Sequence, residues 1–85
     1  MKYSSVEIGR QVKSTRTAMG VTQEKLALAA GTGLRFIIDL EKGKPTCQLG
    51  KVLTVLHSLG IEMTLTPPGR DIRASIRSLE QEQRS

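Results

Sequence analysis

Residues 23–42 read QEKLALAAGTGLRFIIDLEK, and this stretch decides the fold. Its first eight residues place small or apolar side chains at helical spacing, and Thr22, just before them, is a typical helix N-cap. The inward-facing positions are Leu26, Ala27 and Ala30. Gly31 and Gly33 then follow within three residues, which predicts a tight turn between two helices.

A second helix is predicted from residue 34 to about residue 42, ended by Gly43. Ile37 and Leu40 lie three residues apart and face one way, so they can pack against the first helix. Ala27 is small enough for the two helices to approach closely, and Gly31 suits the positive φ that a sharp turn often needs. Two helices joined by a glycine-containing turn are typical of the helix-turn-helix motif, with an ordinary αα-corner as the alternative.

The flanking segments supply further elements. Residues 5–19 predict an amphipathic helix capped by Ser4 or Ser5, and residues 47–59 predict another capped by Thr46. The apolar stripe of the latter comprises Leu49, Val52, Leu53, Leu56 and Leu59. Residues 61–66 (IEMTLT) alternate apolar and polar side chains, as a half-buried strand does. Because this strand has no partner within the chain, we expect it to pair with the same strand of a second copy.

Residues 1–66 are therefore predicted as one domain that ends in a dimerisation strand. The remaining residues, 67–85, form a tail with Ile72, Ile76 and Leu79 at helical spacing among charges. This tail is predicted to be either a short amphipathic helix or a disordered end.

Composition narrows the function classes. Thirteen Lys and Arg against eight Asp and Glu give a net charge of +5, which favours a polyanion such as nucleic acid. Two aromatic residues, Tyr3 and Phe36, are too few for the stacking platforms of single-strand RNA modules. One Cys and one His exclude a structural zinc centre, and no catalytic or cofactor motif is present in the sequence. We therefore expect no enzyme, cofactor, metal or membrane span, and a cytoplasmic location.

At these residues the sequence resembles the Cro/C1-type, or XRE-like, helix-turn-helix family. Residues 21–27 (VTQEKLA) and 40–44 (LEKGK) carry the resemblance, and residues 45–65 extend it to HipB-type antitoxins. The resemblance implies an all-α, lambda-repressor-like domain of four to five helices plus a short C-terminal β-strand that pairs across a dimer. The dimer would bury Ile61, Met63 and Leu65.

The resemblance also implies that the second helix of the motif enters the major groove of operator DNA. Arg35 can bond guanine bidentately, and Leu34 can contact a thymine methyl. Asp39 can accept a hydrogen bond from cytosine N4, although its charge is unfavourable near phosphates. The expected DNA-binding residues are Thr22, Gln23, Gly33, Leu34, Arg35, Ile38, Asp39, Lys42 and Lys44.

Some positions depart from the family pattern. Leu34, Phe36 and Ile38 are apolar where relatives often carry Gln, Ser or Thr. Either they recognise methyl groups or another protein, or Phe36 and Ile38 pack sideways into the core. In similar domains an Arg–Glu bridge joins two helices, so Arg16 and Glu41 are expected to pair here, with a merely solvated pair as the alternative.

The resemblance implies a transcriptional repressor that autoregulates as a HipB-like antitoxin and neutralises a HipA-like kinase toxin. One alternative is a free-standing XRE-type regulator without a toxin. Another is a protein-interaction module with weak DNA binding. A salt-dependent shift of duplex DNA would distinguish a DNA-binding regulator from a protein-interaction module. A neighbouring kinase-like gene would distinguish an antitoxin from a free-standing regulator.

Overall fold

The structure, a computed structural model, describes residues 4–67 and 72–84. These residues form five α-helices: α1 (Ser5–Ala18), α2 (Gln23–Ala30), α3 (Leu34–Glu41), α4 (Leu49–Ser58) and α5 (Ile72–Arg84). Helix α3 packs against α1 and α2, and α2 also packs against α4. The predicted all-α fold is confirmed, and α2 and α3 lie at the centre of the α1–α4 body.

The core of this body is aliphatic. Its buried apolar residues are Val12, Leu26, Ala27, Ala30, Ile37, Leu40, Val52, Val55, Leu56 and Leu59. The predicted stripe of α4 is wrong at Leu49 and Leu53, which are exposed, and it missed Val55, which is fully buried. The residues that face the core instead are those at the i, i+3, i+4, i+7 spacing that starts at Val52.

Side-chain caps begin the first two helices. The hydroxyl of Ser4 accepts a hydrogen bond from the Glu7 N–H, and that of Thr22 accepts one from the Lys25 N–H, both at 3.1 Å. The predicted cap Thr46 is wrong, because it lies in a turn and Gln48 is the N-cap of α4, without a side-chain cap bond. Cys47 lies between that turn and α4 and packs against the core.

Residues 61–67 are neither helix nor strand in this single chain. A β-strand needs a ladder of hydrogen bonds to a second strand, and none of the described segments supplies one. The Ile61 N–H donates to the Leu56 carbonyl at 2.9 Å, whereas Met63 and Leu65 are exposed. The segment is thus irregular in the single chain, and the strand that pairs with a second copy stays a prediction.

The described part of the tail is α5, so the helical alternative is what the structure shows. Its apolar residues Ile76 and Leu79 are exposed. Residues 1–3 of the predicted domain, and residues 68–71 and 85 of the predicted tail, lie outside the described residues.

Candidate nucleic-acid interface

The turn between α2 and α3 is held by backbone hydrogen bonds. Gly31 ends α2 with a φ of 69°, a left-handed conformation in which an L side chain is strained. The Thr32 N–H donates to the Ala27 carbonyl at 2.9 Å, and Gly33 then begins α3 as its N-cap. Since Leu26 and Ile37 are buried between the helices, α3 has a fixed position relative to α2.

One face of α3 points away from the core. It carries five residues at i, i+1, i+4, i+5 and i+8, namely Leu34, Arg35, Ile38, Asp39 and Lys42. The side chain of Arg35 is 79% exposed, and Leu34 is also exposed at the start of the helix. The structure therefore brings the α3 residues expected to contact DNA to one face, on which Leu34, Arg35 and Lys42 are exposed and Ile38 and Asp39 are half-buried.

The charged residues of this surface form the outer cluster, defined as Arg35, Asp39 and Lys44. Asp39 Oδ1 lies 3.3 Å from Arg35 Nε, and Asp39 Oδ2 lies 3.5 Å from Lys44 Nζ. One acid thus holds two bases, and the cluster keeps a net charge of +1. Lys42 lies beside it as the exposed C-cap of α3.

A second ionic group, the inner cluster, lies on the other side of α3 and comprises Arg16, Gln23 and Glu41. Arg16 Nε and Nη2 donate to the two carboxylate oxygens of Glu41 at 2.6 and 3.0 Å. Arg16 Nη1 donates to the Val21 carbonyl at 2.9 Å, and Gln23 Nε2 donates to Glu41 Oε1 at 3.1 Å. The cluster ties α1, the start of α2 and the end of α3 together.

The inner cluster is buried, since the Arg16 and Glu41 side chains are 11% and 4% exposed. The hydrogen bond to Glu41 raises the pKa of Arg16, burial lowers it, and the charge of Glu41 raises it again, with a net rise. Arg16 therefore remains a cation. The solvated-pair alternative does not describe this pair.

Gln23 has a structural contact that the sequence reasoning missed. Gln23 was expected among the DNA-binding residues, and one N–H of its amide donates to Glu41 Oε1. A primary amide has two N–H donors, so the second is left for a phosphate beside the N-terminus of α2. Thr22 is occupied as the N-cap of that helix.

Phe36 lies to the side of the outward face. It is half-buried and packs against the core, and Lys51 Nζ lies 5.7 Å from the centre of its ring. Ile38 is also half-buried, whereas Leu34 is exposed. These three apolar residues thus form no continuous exposed patch.

The outer cluster was not foreseen as a unit, although its signal is present in the sequence. Arg35 and Asp39 are four residues apart, the spacing at which oppositely charged side chains on a helix meet. Lys44 joins them because the backbone turns back after the buried Gly43, and the Lys44 N–H donates to the Asp39 carbonyl at 3.0 Å. That return of the chain is a tertiary feature that residue spacing does not display.

Other kinds of site are not seen in the described ranges. Within residues 4–67 and 72–84, no three His, Cys, Asp or Glu side chains are grouped to hold a metal ion. No helix in the same ranges is long and apolar enough to cross a membrane.

A curated relative decides the family. The uncharacterized HTH-type transcriptional regulator y4mF of Sinorhizobium fredii (strain NBRC 101917 / NGR234) is 51% identical over 63 residues. The match covers 74% of this chain and 83% of the relative. The chain belongs to the HTH-type transcriptional regulators. No protein-family model matches the chain.

Solved structures agree with this family. The chain is similar to HipB in the HipB–O4 20mer complex and to a chain of the HipA–HipB–O2–O3 complex. In each case the TM-score is 0.70 at 29% identity, over 76% of this chain and 92% of the other. The resemblance to XRE-like regulators near HipB is confirmed.

Proposed function

We propose that this regulator is a homodimeric repressor that reads operator DNA with α3 and acts as a HipB-like antitoxin. The outward face of α3 carries the proposal, because it presents Arg35 on a helix whose position is fixed by the core. An arginine at the start of a helix in the major groove can bond guanine O6 and N7. Leu34, exposed beside it, is suited to a thymine methyl.

Groups at both ends of the motif are suited to the DNA backbone. Lys42 and Lys44 are exposed after α3, and the N-terminus of α2 offers backbone N–H groups beside Gln23. Such contacts release counterions, so binding of the chain, with its net charge of +5, weakens as salt rises. Phosphate contacts of this kind set the register of α3 without selecting the sequence.

Residues 61–66 are the proposed dimer contact. Met63 and Leu65 are exposed in the single chain, and Ile61 is half-buried against the end of α4. Pairing this segment with its copy provides the missing hydrogen-bond ladder and covers these apolar side chains. The dimer then presents two α3 helices to two half-sites, as helix-turn-helix dimers do.

The antitoxin role is supported by one of the structural neighbours. That neighbour is part of a complex that contains HipA as well as HipB. We infer that a HipA-like kinase is the protein partner of this chain and that the pair represses its own operon.

DNA binding is tested on the duplex upstream of the chain's own gene, by fluorescence anisotropy across a salt series. We expect a discrete site, and we expect Arg35→Ala to lose about 1–3 kcal/mol there. Arg10→Ala is the matched control, because it removes an equally charged, exposed side chain from α1 outside the proposed interface. If the wild-type chain binds this duplex and a random duplex equally, sequence-specific repression is refuted.

The partner is tested separately. A kinase-like protein encoded beside the gene is co-expressed with the tagged chain and purified, and its growth inhibition is measured with and without the chain. Co-purification with relief of inhibition is expected. Specific DNA binding without a toxin partner would instead identify a free-standing regulator.

A further inference from the structure

We propose that Asp39 is a positioning residue that holds Arg35 in the orientation that reads guanine. The inference rests on the proposed function, since it concerns the same face of α3. The outer cluster then determines which base Arg35 selects. Asp39 itself does not contact a base.

Asp39 pairs with the inner nitrogen of the Arg35 guanidinium and leaves its two terminal nitrogens free of Asp39. Asp39 Oδ1 lies 3.3 Å from Nε of Arg35, which is the inner nitrogen of the guanidinium. Nη1 and Nη2, the two nitrogens at the end of the fork, are thereby left for the base. This end of the fork matches the paired acceptors O6 and N7 of guanine.

The two partners of this ion pair differ in burial. The Asp39 side chain is only 18% exposed, whereas that of Arg35 is 79% exposed. A half-buried carboxylate on a short side chain has less freedom than the long, exposed arginine side chain, which is the part that otherwise moves. The ion pair restricts the arginine before DNA arrives, so less conformational freedom is lost on binding.

Lys44 also contacts Asp39. Its Nζ lies 3.5 Å from Asp39 Oδ2, and its backbone N–H donates to the Asp39 carbonyl at 3.0 Å. Both carboxylate oxygens of Asp39 are therefore paired with cations, which opposes a contact from Asp39 to cytosine N4. The two cations also outweigh the acid, so the cluster approaches the phosphates with a net positive charge.

The experiment begins with duplexes that the wild-type chain selects from a randomised pool. The guanine that depends on Arg35 is identified as the position at which Arg35→Ala loses base preference. Binding of Asp39→Asn is then measured on the four duplexes that differ at this base pair. We expect the preference for guanine to fall about tenfold, while binding to random duplex tightens slightly because one negative charge is removed. In Arg35→Ala, adding Asp39→Asn is expected to change the preference no further.

Two control variants separate the shape of the Arg35 fork from the charge of the outer cluster. Arg35→Lys keeps the charge and lacks the fork, so it is expected to lose the guanine preference and retain salt-dependent binding. Lys44→Gln removes a cation and is expected to weaken all duplexes alike. Thermal unfolding of each variant verifies that it is folded, and Asp39→Glu serves as a second variant at the same position if Asp39→Asn is unfolded.

The outcomes separate this inference from the proposed function. If Asp39→Asn tightens every duplex equally and keeps the base ranking, Asp39 is only an unfavourable charge and the positioning role is overturned. Sequence-specific repression would survive that result. If the wild-type chain selects no sequence at all, both proposals are overturned together.

Discussion

Helix α3 joins two arginine–carboxylate clusters that differ mainly in burial. In the inner cluster, Arg16 donates to Glu41 at 2.6 Å and both side chains are almost completely buried. In the outer cluster, Arg35 lies 3.3 Å from Asp39 and is mostly exposed. The two carboxylates are two residues apart on one helix, so they point to opposite sides of it.

An arginine–carboxylate pair has different consequences in the two surroundings. Burial removes water from Arg16 and Glu41, so neither can lose its partner without leaving a desolvated charge. Arg35 is exposed to solvent, so its guanidinium is accessible to a ligand. The inner cluster is thus suited to holding the fold, and the outer cluster is suited to recognition.

The largest expected effect comes from breaking the inner cluster. Glu41→Ala leaves the Arg16 guanidinium buried without its carboxylate and removes the acceptor of the Gln23 amide. We expect a loss of about 3–5 kcal/mol in the free energy of unfolding, measured by urea denaturation. Because the pKa of Arg16 is raised, the protonation of Arg16 contributes stability below the ordinary arginine pKa, and this contribution is lost as the pH rises through the raised value.

Glu7→Ala is the matched control for this experiment. It removes an acid that lies 3.9 Å from Arg10, in a pair whose side chains are 41% and 74% exposed. A change within about 1 kcal/mol is expected. Equal losses for the two variants would show that burial does not separate the two kinds of pair.

The second prediction tests the close approach of α1 to α3 that seats the inner cluster. A Cβ on Gly9 would lie 2.4 Å from the Leu40 carbonyl oxygen and 3.0 Å from that of Glu41. Gly9→Ala therefore has to separate the helices, and we expect a loss of about 1–3 kcal/mol in thermal or urea unfolding.

Gly50→Ala gives the opposite sign in the same assay. Nothing lies within 4 Å of a Cβ at Gly50, which is in the first turn of α4. Alanine there is expected to stabilise the fold by about 0.4–1 kcal/mol, because it restricts the unfolded chain. A stabilising Gly9→Ala would contradict the packing of α1 on α3.

The third prediction concerns the cap that begins the helix-turn-helix motif. Thr22→Ala removes the acceptor of the Lys25 N–H, and we expect it to cost about 1 kcal/mol of stability. Thr54→Ala is the control, because the exposed Thr54 hydroxyl only donates to a carbonyl of its own helix, that of Gly50. A loss in Thr54→Ala as large as in Thr22→Ala would show that the cap has no special role.

The parts of this molecule that were predictable from sequence are those set by local chemistry. Thr22 as a cap, Gly31 as a left-handed turn residue, and Leu26 and Ile37 as buried residues all follow from spacing and propensity. The start of α4 was predicted two residues too early. A turn at residues 45–46 and Cys47, which packs against the core, precede the helix.

The site was predictable only as a surface. Spacing placed Arg35 and Asp39 on one helix face, but the path of the chain after α3 decides that Lys44 returns to Asp39. The Gln23 contact with Glu41 likewise joins residues from different helices. Such pairs depend on tertiary packing, which residue spacing alone does not determine.

The smallest expected effect on stability is that of Asp39→Asn in the outer cluster. Asp39→Asn keeps the size of the side chain and removes its charge, so both outer ion pairs lose their electrostatic attraction. Because Arg35 and Lys44 are largely solvated, we expect a change of at most about 0.5 kcal/mol in urea unfolding. A loss of stability near that of Glu41→Ala would mean that the outer cluster also holds the fold. The two clusters would then not differ in role. A small change alongside a lost guanine preference would show that the inner pair holds the fold and the outer pair positions Arg35.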